Sequence, residues 1–268
     1  MFYKSEDGNV AINGTDMDYI VFGRGETSLV IIPGLGDGLK TVKGTRLLLS
    51  RMYKDFAQDY RVYVFSRKNH IERGYSIRDM ARDQKTAMEV LKIGNAHLVG
   101  ISQGGMIAQY MAIDYPDLVN KLALVVSISR PNEVFRQIIE NWIGLAEAGN
   151  YSGLMEDTME NFYSEERLKK YRKLYPIIGR VGEPKSFERF IVQAEACLNH
   201  DAYDQLDKIK SPSLIVAGGD DKILGEAAAV EMAQKIRGSK LVVYQGLGHG
   251  AYEEAKDFNK TLLDFLKS

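Results

Sequence analysis

The stretch Gly100-Ile101-Ser102-Gln103-Gly104 has the form G-x-S-x-G and lies where an apolar run, Leu98 to Ile101, gives way to a helical pattern near Gly105. A tight strand-to-helix turn that holds a serine in a strained backbone conformation needs small residues two positions before and after it, because neighbouring chains must clear one another. Gly100 and Gly104 meet that need. The stretch therefore predicts a serine at the tip of a sharp turn between a buried strand and a helix.

Short apolar runs rich in β-branched residues recur on both sides of this turn, a pattern typical of parallel strands that are buried on both faces. These runs are Leu29 to Ile32, Val62 to Phe65, Leu98 to Ile101, Leu122 to Ile128, Leu214 to Ala217 and Leu241 to Tyr244. Segments of helical period separate them, and alternating apolar residues around Asn13-Gly14 indicate an antiparallel start. The alternation predicts an α/β fold with a mostly parallel sheet of about eight strands flanked by helices.

A charged, helix-patterned stretch interrupts this alternation once, after the sixth strand, between Arg130 and Leu206. It contains no convincing strand, and its pieces predict four helices: Asn132 to Ala148, Gly153 to Phe162, Ser164 to Tyr175 and Pro184 to Asn199. We interpret residues 131–205 as an all-helical cap, inserted into a core domain that residues 1–130 and 206–268 form together.

Composition and charge exclude several classes of function. Lys and Arg number 35 and Asp and Glu 36, which gives a net charge of −1 and no positive surplus for nucleic acid or an anionic membrane surface. The single cysteine, Cys197, allows neither an intrachain disulfide nor a multi-cysteine metal site. The first residues lack a signal-peptide pattern, and no apolar run approaches the roughly 18 residues that span a bilayer. We expect a cytoplasmic protein with no nucleic-acid or membrane partner and no metal, and the sequence indicates no oligomeric state.

A serine hydroxyl is a weak nucleophile until a base takes its proton, so a histidine that a carboxylate orients has to lie elsewhere in the chain. His249 follows directly after the last strand, in a glycine-rich loop. His97 begins the strand that leads to Ser102 and so lies at the opposite edge of a parallel sheet, where a structural role is expected. His70, in a charged loop, and His200, beside the end of the insertion, are weaker candidates. We therefore predict His249 as the base.

Two aspartates compete for the role of the orienting acid. The strand that ends at Ala217 is followed by Gly-Gly-Asp-Asp, which places Asp220 and Asp221 at the carboxyl end of the strand, where sites in such sheets gather. We prefer Asp221, with Asp220 as the alternative that could instead form the turn or cap a helix. Glu133, beyond the sixth strand, is a third candidate. The order serine, aspartate, histidine along the chain is one of the known orders for this set of residues.

Two backbone amides are candidates to stabilise a developing oxyanion. The amide of Gln103 opens the helix after the serine, where a helix N-terminus favours negative charge. A second donor should come from the glycine-rich loop after the first buried strand, and the amide of Leu35 is our candidate. A phosphate-binding loop is the rival interpretation, but G-x-G-x-x-G fails at Leu39 and no G-K-[ST] follows. We expect no nucleotide or other cofactor.

With these motifs in this order, the chain resembles an α/β-hydrolase-fold serine hydrolase with a helical cap, and the likeness covers nearly all of its length. The resemblance implies Ser102 as the nucleophile, Asp221 and His249 as the acid and base, and Leu35 and Gln103 at the oxyanion hole. It also implies that carboxylic esters of small to medium, partly apolar substrates are hydrolysed through an acyl-enzyme, without a metal or an organic cofactor.

Three positions depart from the family pattern. Pro33 stands where many members have a histidine that braces the oxyanion loop, Ser66-Arg67-Lys68-Asn69 replaces the usual Asp-x-Arg-Gly-x-Gly, and Lys222 replaces a common proline. These changes leave the serine, histidine and aspartate in place but leave the substrate open. C–C bond hydrolysis, thioester hydrolysis and perhydrolysis use the same three residues, and a ligand-binding receptor is an alternative of a different class.

Large apolar residues of the predicted cap are candidates to line a substrate pocket over the strand ends. They are Phe135, Trp142, Met155, Met159, Phe162 and Tyr163. The alternative is that these side chains pack the cap helices against one another.

Overall fold

The computed structural model describes residues 4–178, 182–225 and 227–268, and its centre is one eight-stranded sheet. The strands are β1 (Ser5–Ile12), β2 (Thr15–Phe22), β3 (Thr27–Ile32), β4 (Tyr60–Lys68), β5 (Ala96–Ile101), β6 (Val119–Val125), β7 (Ser213–Gly218) and β8 (Lys240–Tyr244). They lie in the order β1-β2-β4-β3-β5-β6-β7-β8; β2 pairs antiparallel with both β1 and β4, and the pairs among the other six strands are parallel. The predicted mostly parallel sheet of about eight strands is confirmed.

The apolar runs became central strands because every residue in them can be buried on one face or the other. All residues of β5 and of β7 are buried. The hairpin between β1 and β2 turns at Asn13 and Gly14, whose φ angles are 44° and 82°. Two successive positive φ angles are what a two-residue hairpin loop requires, and an Asn-Gly pair adopts them at low cost.

Eleven α-helices occur in the described residues, and those outside the insertion flank the sheet. They are α1 (Arg46–Met52), α2 (Ile77–Val90), α3 (Gln103–Asp114), α4 (Glu133–Glu147), α5 (Tyr151–Phe162), α6 (Glu165–Tyr171), α7 (Tyr175–Ile178), α8 (Glu188–Leu198), α9 (Ala227–Lys235), α10 (Ala251–Glu254) and α11 (Phe258–Lys267). One hydrophobic core joins the sheet to these helices. None of the helices in the described ranges is long and apolar enough to cross a bilayer.

Helices α4 to α8, which we call the inserted helices, lie between β6 and β7. Helix α4 begins one residue later than predicted because Asn132 is its N-cap, and the Asn132 side chain accepts a hydrogen bond from the Phe135 amide at 2.9 Å. The helix predicted from Ser164 to Tyr175 is divided, since a 3-10 turn separates α6 from α7. Residues 179–181 of the predicted cap lie outside the described residues.

The sixth strand ends earlier than the apolar run predicted. The run continues to Ile128, but β6 ends at Val125 because Val126 has a φ of 42°, which no β-branched residue adopts within an extended strand. The amide of Val126 still donates to the Val216 carbonyl of the neighbouring strand at 2.7 Å. The chain therefore turns away sharply at the carboxyl edge of the sheet, beside the end of β5.

His97 and His200 are buried, and neither contacts Ser102. His97, in β5, packs edge-on against the Tyr60 ring at 5.5 Å between ring centres. His200 follows α8, and its Nε2 pairs with the side-chain oxygen of Gln109 at 3.2 Å. Burial lowers the pKa of His97 to about 4 and that of His200 to about 3. Both rings are therefore neutral in the folded protein at neutral pH.

We expect the burial of His200 to make stability depend on pH. The unfolded chain protonates this ring near the ordinary pKa of 6.5, whereas the folded protein resists protonation until the pH nears 3. The resulting stabilisation is complete above about pH 6.5 and is lost as the pH falls. Between pH 7 and pH 5 the free energy of unfolding should fall by about 2 kcal/mol more in the wild type than in His200→Gln.

Urea unfolding curves at both pH values measure this difference. His70→Gln is the matched control, because His70 is exposed and its replacement should keep the wild-type pH dependence. Identical pH dependence in the wild type and in His200→Gln would contradict the prediction.

Candidate active site

Ser102 occupies the sharp turn between β5 and α3, with φ 53° and ψ −118°. A methyl group added at Gly100 would lie 2.4 Å from the Gly104 carbonyl oxygen, and one added at Gly104 would lie 1.9 Å from the Ile32 carbonyl oxygen. No side chain larger than hydrogen fits at either position, which agrees with the steric argument from the sequence. The turn thus presents the serine at the carboxyl edge of the sheet.

Hydrogen bonds to neighbouring strands hold this strained turn. The amide of Ser102 donates to the Val125 carbonyl at 2.9 Å, and the Ser127 hydroxyl donates to the Ser102 carbonyl at 2.8 Å. A non-glycine residue in such a conformation costs of the order of 1–3 kcal/mol, so it persists only where the surroundings fix it. Since Val126, between these two partners, also has a positive φ, two strained residues lie side by side at this edge.

His249 bridges Ser102 and Asp221. Its Nε2 lies 3.0 Å from Ser102 Oγ, and its Nδ1 lies 2.8 Å from Asp221 Oδ2. The other carboxylate oxygen, Oδ1, accepts from the amides of Ile223 and Leu224 at 2.9 and 3.0 Å. A carboxylate that accepts a hydrogen bond from Nδ1–H fixes the tautomer in which the Nε2 lone pair is free to take a proton from the serine. His249 and Asp221 are both buried, so water competes little with these contacts.

The competing acids lie elsewhere. The Asp220 side chain is exposed, and its backbone amide donates to the Leu247 carbonyl at 2.9 Å. Glu133 is exposed at the start of α4, where its carboxylate accepts from the Gln137 side chain at 2.9 Å. The structure therefore brings together Ser102, Asp221 and His249 and leaves both alternatives outside the contact.

The elements that carry the two predicted oxyanion donors adjoin Ser102. The amide of Gln103 is the first of α3, and that of Leu35 is the first of a 3-10 turn, Leu35–Gly38. Such N–H groups have no acceptor within their own helix. Gly34 lies directly against the serine: a methyl group added there would be 3.3 Å from Ser102 Cβ and 3.8 Å from Oγ. The arrangement can therefore receive a negatively charged oxygen next to the nucleophile.

A family model described as the alpha/beta hydrolase fold matches residues 27–256. The chain belongs to the α/β hydrolase fold family. Among its relatives, a 2-hydroxy-6-oxononadienedioate/2-hydroxy-6-oxononatrienedioate hydrolase of Burkholderia vietnamiensis is 28% identical over 280 residues, which cover 97% of this chain and 94% of that protein. The serine hydrolase BPHL of Mus musculus is 26% identical over 263 residues, 96% of this chain and 85% of that protein.

Solved structures show the same fold. The enol-lactonase from Burkholderia xenovorans LB400 matches with a TM-score of 0.82 over 97% of this chain and all of that one, at 22% sequence identity. At that identity the likeness concerns the fold and not the substrate.

In this α/β hydrolase, the inserted helices reach His249 through the end of α5. The Phe162 ring lies 5.4 Å from the His249 ring, nearly edge-on, and the Phe162 carbonyl accepts from the Gly250 amide at 2.7 Å. The Tyr163 hydroxyl donates to Glu253 of α10 at 2.9 Å. Of the residues predicted to line a pocket, Phe162 is thus in contact with the site.

The other predicted pocket residues have contacts of a different kind. Trp142 is buried, and its Nε1 donates to Asp157 at 2.7 Å, which ties α4 to α5. Phe135 and Met159 are also buried, and Phe135 belongs to the continuous core. These contacts favour the alternative stated above for Trp142, that it packs the inserted helices together.

A charged cluster beside the oxyanion loop was not predicted. We call Asp37, Arg67 and Arg189 the arginine cluster. Arg67, in β4, is 1% exposed, and its side chain donates to the Pro33 carbonyl, to the Gly34 carbonyl at 3.2 Å and to the Gln103 side chain. The signal in the sequence was the departure at residues 66–69, which showed an unusual arginine but not its partners.

No group of three or more histidine, cysteine or carboxylate side chains that could hold a metal ion occurs in the ranges that the structure describes. The lone Cys197 is buried, and burial raises the pKa of its thiol to about 12. It is therefore protonated at neutral pH and is no rival to Ser102 as a nucleophile.

The contact between Gly34 and Ser102 predicts a sensitive position. We expect Gly34→Ala to slow covalent labelling of Ser102 by a fluorophosphonate roughly 10- to 100-fold, because the added methyl displaces the hydroxyl or the donor loop. Gly36→Ala is the matched control, since a methyl group there meets nothing within 4 Å. Equal labelling rates for the two variants would show that the loop tolerates a side chain at position 34.

Proposed function

We propose that the protein is a serine hydrolase that cleaves carboxylic esters of small to medium, partly apolar substrates through an acyl-enzyme on Ser102. The observation that carries the proposal is the continuous contact from Ser102 Oγ through His249 to Asp221, at 3.0 and 2.8 Å, on a strained strand-to-helix turn. A serine hydroxyl becomes an effective nucleophile when a base takes its proton, and this arrangement supplies such a base. The family membership of the chain supports a hydrolase.

In the first half of the reaction, His249 Nε2 takes the proton of Ser102 as the hydroxyl oxygen attacks the ester carbonyl carbon. Asp221 accepts a hydrogen bond from Nδ1–H and stabilises the imidazolium that forms. The carbonyl oxygen becomes an oxyanion and receives the amides of Leu35 and Gln103. When the tetrahedral intermediate collapses, the bond to the alcohol oxygen breaks, and His249 gives its proton to the departing alcohol.

In the second half, water replaces the alcohol. His249 takes a proton from the water molecule as its oxygen attacks the acyl carbon, and the same two amides stabilise the second oxyanion. The bond from the acyl carbon to Ser102 then breaks, the proton returns to the serine, and the carboxylic acid leaves. None of these steps requires a group beyond the residues named.

The proposal includes a cap formed by residues 131–205 over a core domain of residues 1–130 and 206–268. Its support is the contact between Phe162, at the end of α5, and His249. An apolar ring beside His249, the proposed base, favours apolar substrate groups and limits the access of water. Phe135, Trp142 and Met159 as pocket residues, and the cytoplasmic location, stay predictions.

Hydrolysis of a carbon–carbon bond is the second candidate. Its support is the relative named as a hydrolase of 2-hydroxy-6-oxo acids, because water added at a ketone breaks a C–C bond. The same serine, histidine and aspartate serve both reactions, so the substrate decides between them.

The experiment that tests the function is a substrate panel with Ser102→Ala as the control. It contains p-nitrophenyl esters of increasing acyl length, thioesters and a vinylogous 1,5-diketone acid. We expect the wild type to turn over the shorter esters fastest and Ser102→Ala to lose this activity. Turnover of the diketone alone would replace the esterase proposal by the C–C hydrolase, and equal rates for the wild type and Ser102→Ala would remove both.

A second prediction concerns the choice between neighbouring aspartates. Asp221→Asn should lower kcat by roughly 10⁴, because an amide no longer holds the tautomer of His249 that can accept a proton. Asp220→Asn, at an exposed position, should stay within about twofold of the wild type. Steady-state kinetics on the best ester of the panel measure both, and the reverse ranking would move the acid to position 220.

A further inference from the structure

We propose that Arg67 is a positioning residue: held by Asp37 and Arg189, it orients the Gly34–Leu35 peptide as an oxyanion donor, in the place of the family's bracing histidine that Pro33 replaces. This inference rests on the function proposed above. Arg67, Asp37 and Arg189 act through the loop that carries Leu35 and not on the substrate itself.

The guanidinium of Arg67 joins the two elements that carry the oxyanion donors. Its Nη2 donates to the carbonyls of Pro33 and Gly34 in the loop after β3, and also to the side-chain oxygen of Gln103 at the start of α3. The Gln103 side chain is held on its other side, since its Nε2 donates to the Gln193 carbonyl of α8 at 2.9 Å. One buried side chain therefore fixes the loop and the helix relative to each other.

Because a peptide unit is planar, the position of the Gly34 carbonyl at Arg67 sets the direction of the Leu35 N–H. The Gly34 carbonyl and the Leu35 N–H belong to one peptide unit, and in a trans peptide the two point to opposite sides. No cis peptide bond occurs in the described ranges. A Gly34 carbonyl that is held at Arg67 therefore turns the Leu35 N–H away from the guanidinium, into the space beside Ser102.

Proline at position 33 explains why the loop needs such a partner. Proline has no backbone N–H and no side-chain donor, so it cannot make the hydrogen bonds of a bracing histidine. A guanidinium carries five N–H donors in a fixed plane, whereas a lysine ammonium is a single point of charge on a flexible chain. All three acceptors lie at one terminal nitrogen, Nη2, whose direction the planar guanidinium fixes, whereas a lysine ammonium at the end of a flexible chain has no such fixed direction.

Asp37 makes the burial of Arg67 tolerable. Its Oδ2 accepts from the Arg67 backbone amide at 3.0 Å, lies 3.9 Å from Arg67 Nη1 and accepts from Arg189 at 2.6 Å. Burial alone would raise the pKa of Asp37, but the charges of Arg189 and Arg67 and hydrogen bonds from Ser66 and Arg67 hold it below its usual value. Burial lowers the pKa of Arg67 to about 10 despite Asp37, so the guanidinium stays charged at neutral pH.

The arginine cluster as a whole carries one excess positive charge, since it contains two arginines and one aspartate. That surplus lies next to the loop whose Leu35 amide would receive the oxyanion of the substrate, and a fixed positive charge in a site with little water favours an oxyanion. Arg189 adds a link to the inserted helices, because it extends from α8 to the backbone carbonyls of Lys68 and Arg67 at 2.9 and 3.0 Å. The proposed cap and the oxyanion loop therefore share one charged cluster.

The test compares Arg67→Lys and Arg67→Met with Arg73→Met. Arg73 is a suitable control because it is an exposed arginine that also pairs with α8, through Glu188 at 2.9 Å. For each variant, kcat and KM are measured on the best ester, together with the inhibition constant of a trifluoromethyl ketone, which forms a tetrahedral oxyanion on the serine. Titration with a fluorophosphonate counts the active sites, and thermal melting reports stability.

We expect Arg67→Lys and Arg67→Met to lower kcat per titrated site roughly 10- to 100-fold while KM stays within about threefold. The inhibition constant of the trifluoromethyl ketone should rise by the factor by which kcat/KM falls, because both report oxyanion stabilisation. Arg73→Met should match the wild type in every measurement. If neither Arg67 variant folds, Arg189→Lys serves instead, with the same direction of change and a smaller loss of kcat.

Two results would overturn the inference. A merely structural Arg67 would give variants that melt at a lower temperature but keep the wild-type kcat per titrated site and the wild-type affinity for the ketone; the proposed function would then stand without it. A wild type that neither hydrolyses esters nor reacts with the fluorophosphonate would remove the proposed function and this inference together.

Discussion

The backbone of Ser102 is held at a φ of 53°, and the neighbouring chains can approach it only because residues 100 and 104 have no side chain. Two hydrogen bonds at the edge of the parallel sheet stabilise this conformation. The Ser102 amide donates to the carbonyl of Val125 in β6, and the Ser127 hydroxyl donates to the Ser102 carbonyl. A turn of this kind exposes the hydroxyl at the carboxyl ends of the strands. The loops that follow β3, β7 and β8 begin at the same edge, and this places Gly34, Asp221 and His249 around Ser102.

Two of the contacts between the inserted helices and this edge concern the proposed site directly. The end of α5 brings Phe162 against His249, and α8 brings Arg189 to the loop that carries Leu35. One contact concerns the base and the other concerns the oxyanion donor. A movement of the inserted helices relative to the sheet would therefore affect proton transfer and charge stabilisation together, which ties the proposed cap to the chemistry and not only to substrate choice.

Local patterns in the sequence were sufficient for the sheet and for the placement of the site. Apolar runs give buried strands wherever they occur, and the order of parallel strands puts residues 102, 221 and 249 at one edge. The early end of β6 was not predictable from the run that includes Val126, because its positive φ arises from the partner strands and not from its own preference. The 3-10 turn between α6 and α7 was likewise not predicted.

The arginine cluster could not have been found from spacing. Residues 37, 67 and 189 are far apart in the chain, belong to a loop, a strand and a helix, and follow no periodic pattern. Arginine is usually exposed, so a sequence pattern places it on the surface. Its burial is stable only when charged and hydrogen-bonding partners surround it, and these partners are distant in the sequence. The clue was the combination of Pro33 with the unusual sequence at residues 66–69, at the end of β4. Pro33 stands where a bracing histidine was expected, but the sequence did not show which residue holds the loop instead.

The proposed reaction requires Ser102 as the nucleophile, and chemical modification of the protein tests this role directly. The protein is treated with a fluorophosphonate in steps, the modified residue is identified by mass spectrometry of a digest, and ester hydrolysis is measured at each step. We expect one phosphonyl group per chain, on Ser102, with activity lost in proportion to the labelled fraction. A protein that keeps full activity after Ser102 is labelled, or that carries the label on another residue, would contradict it.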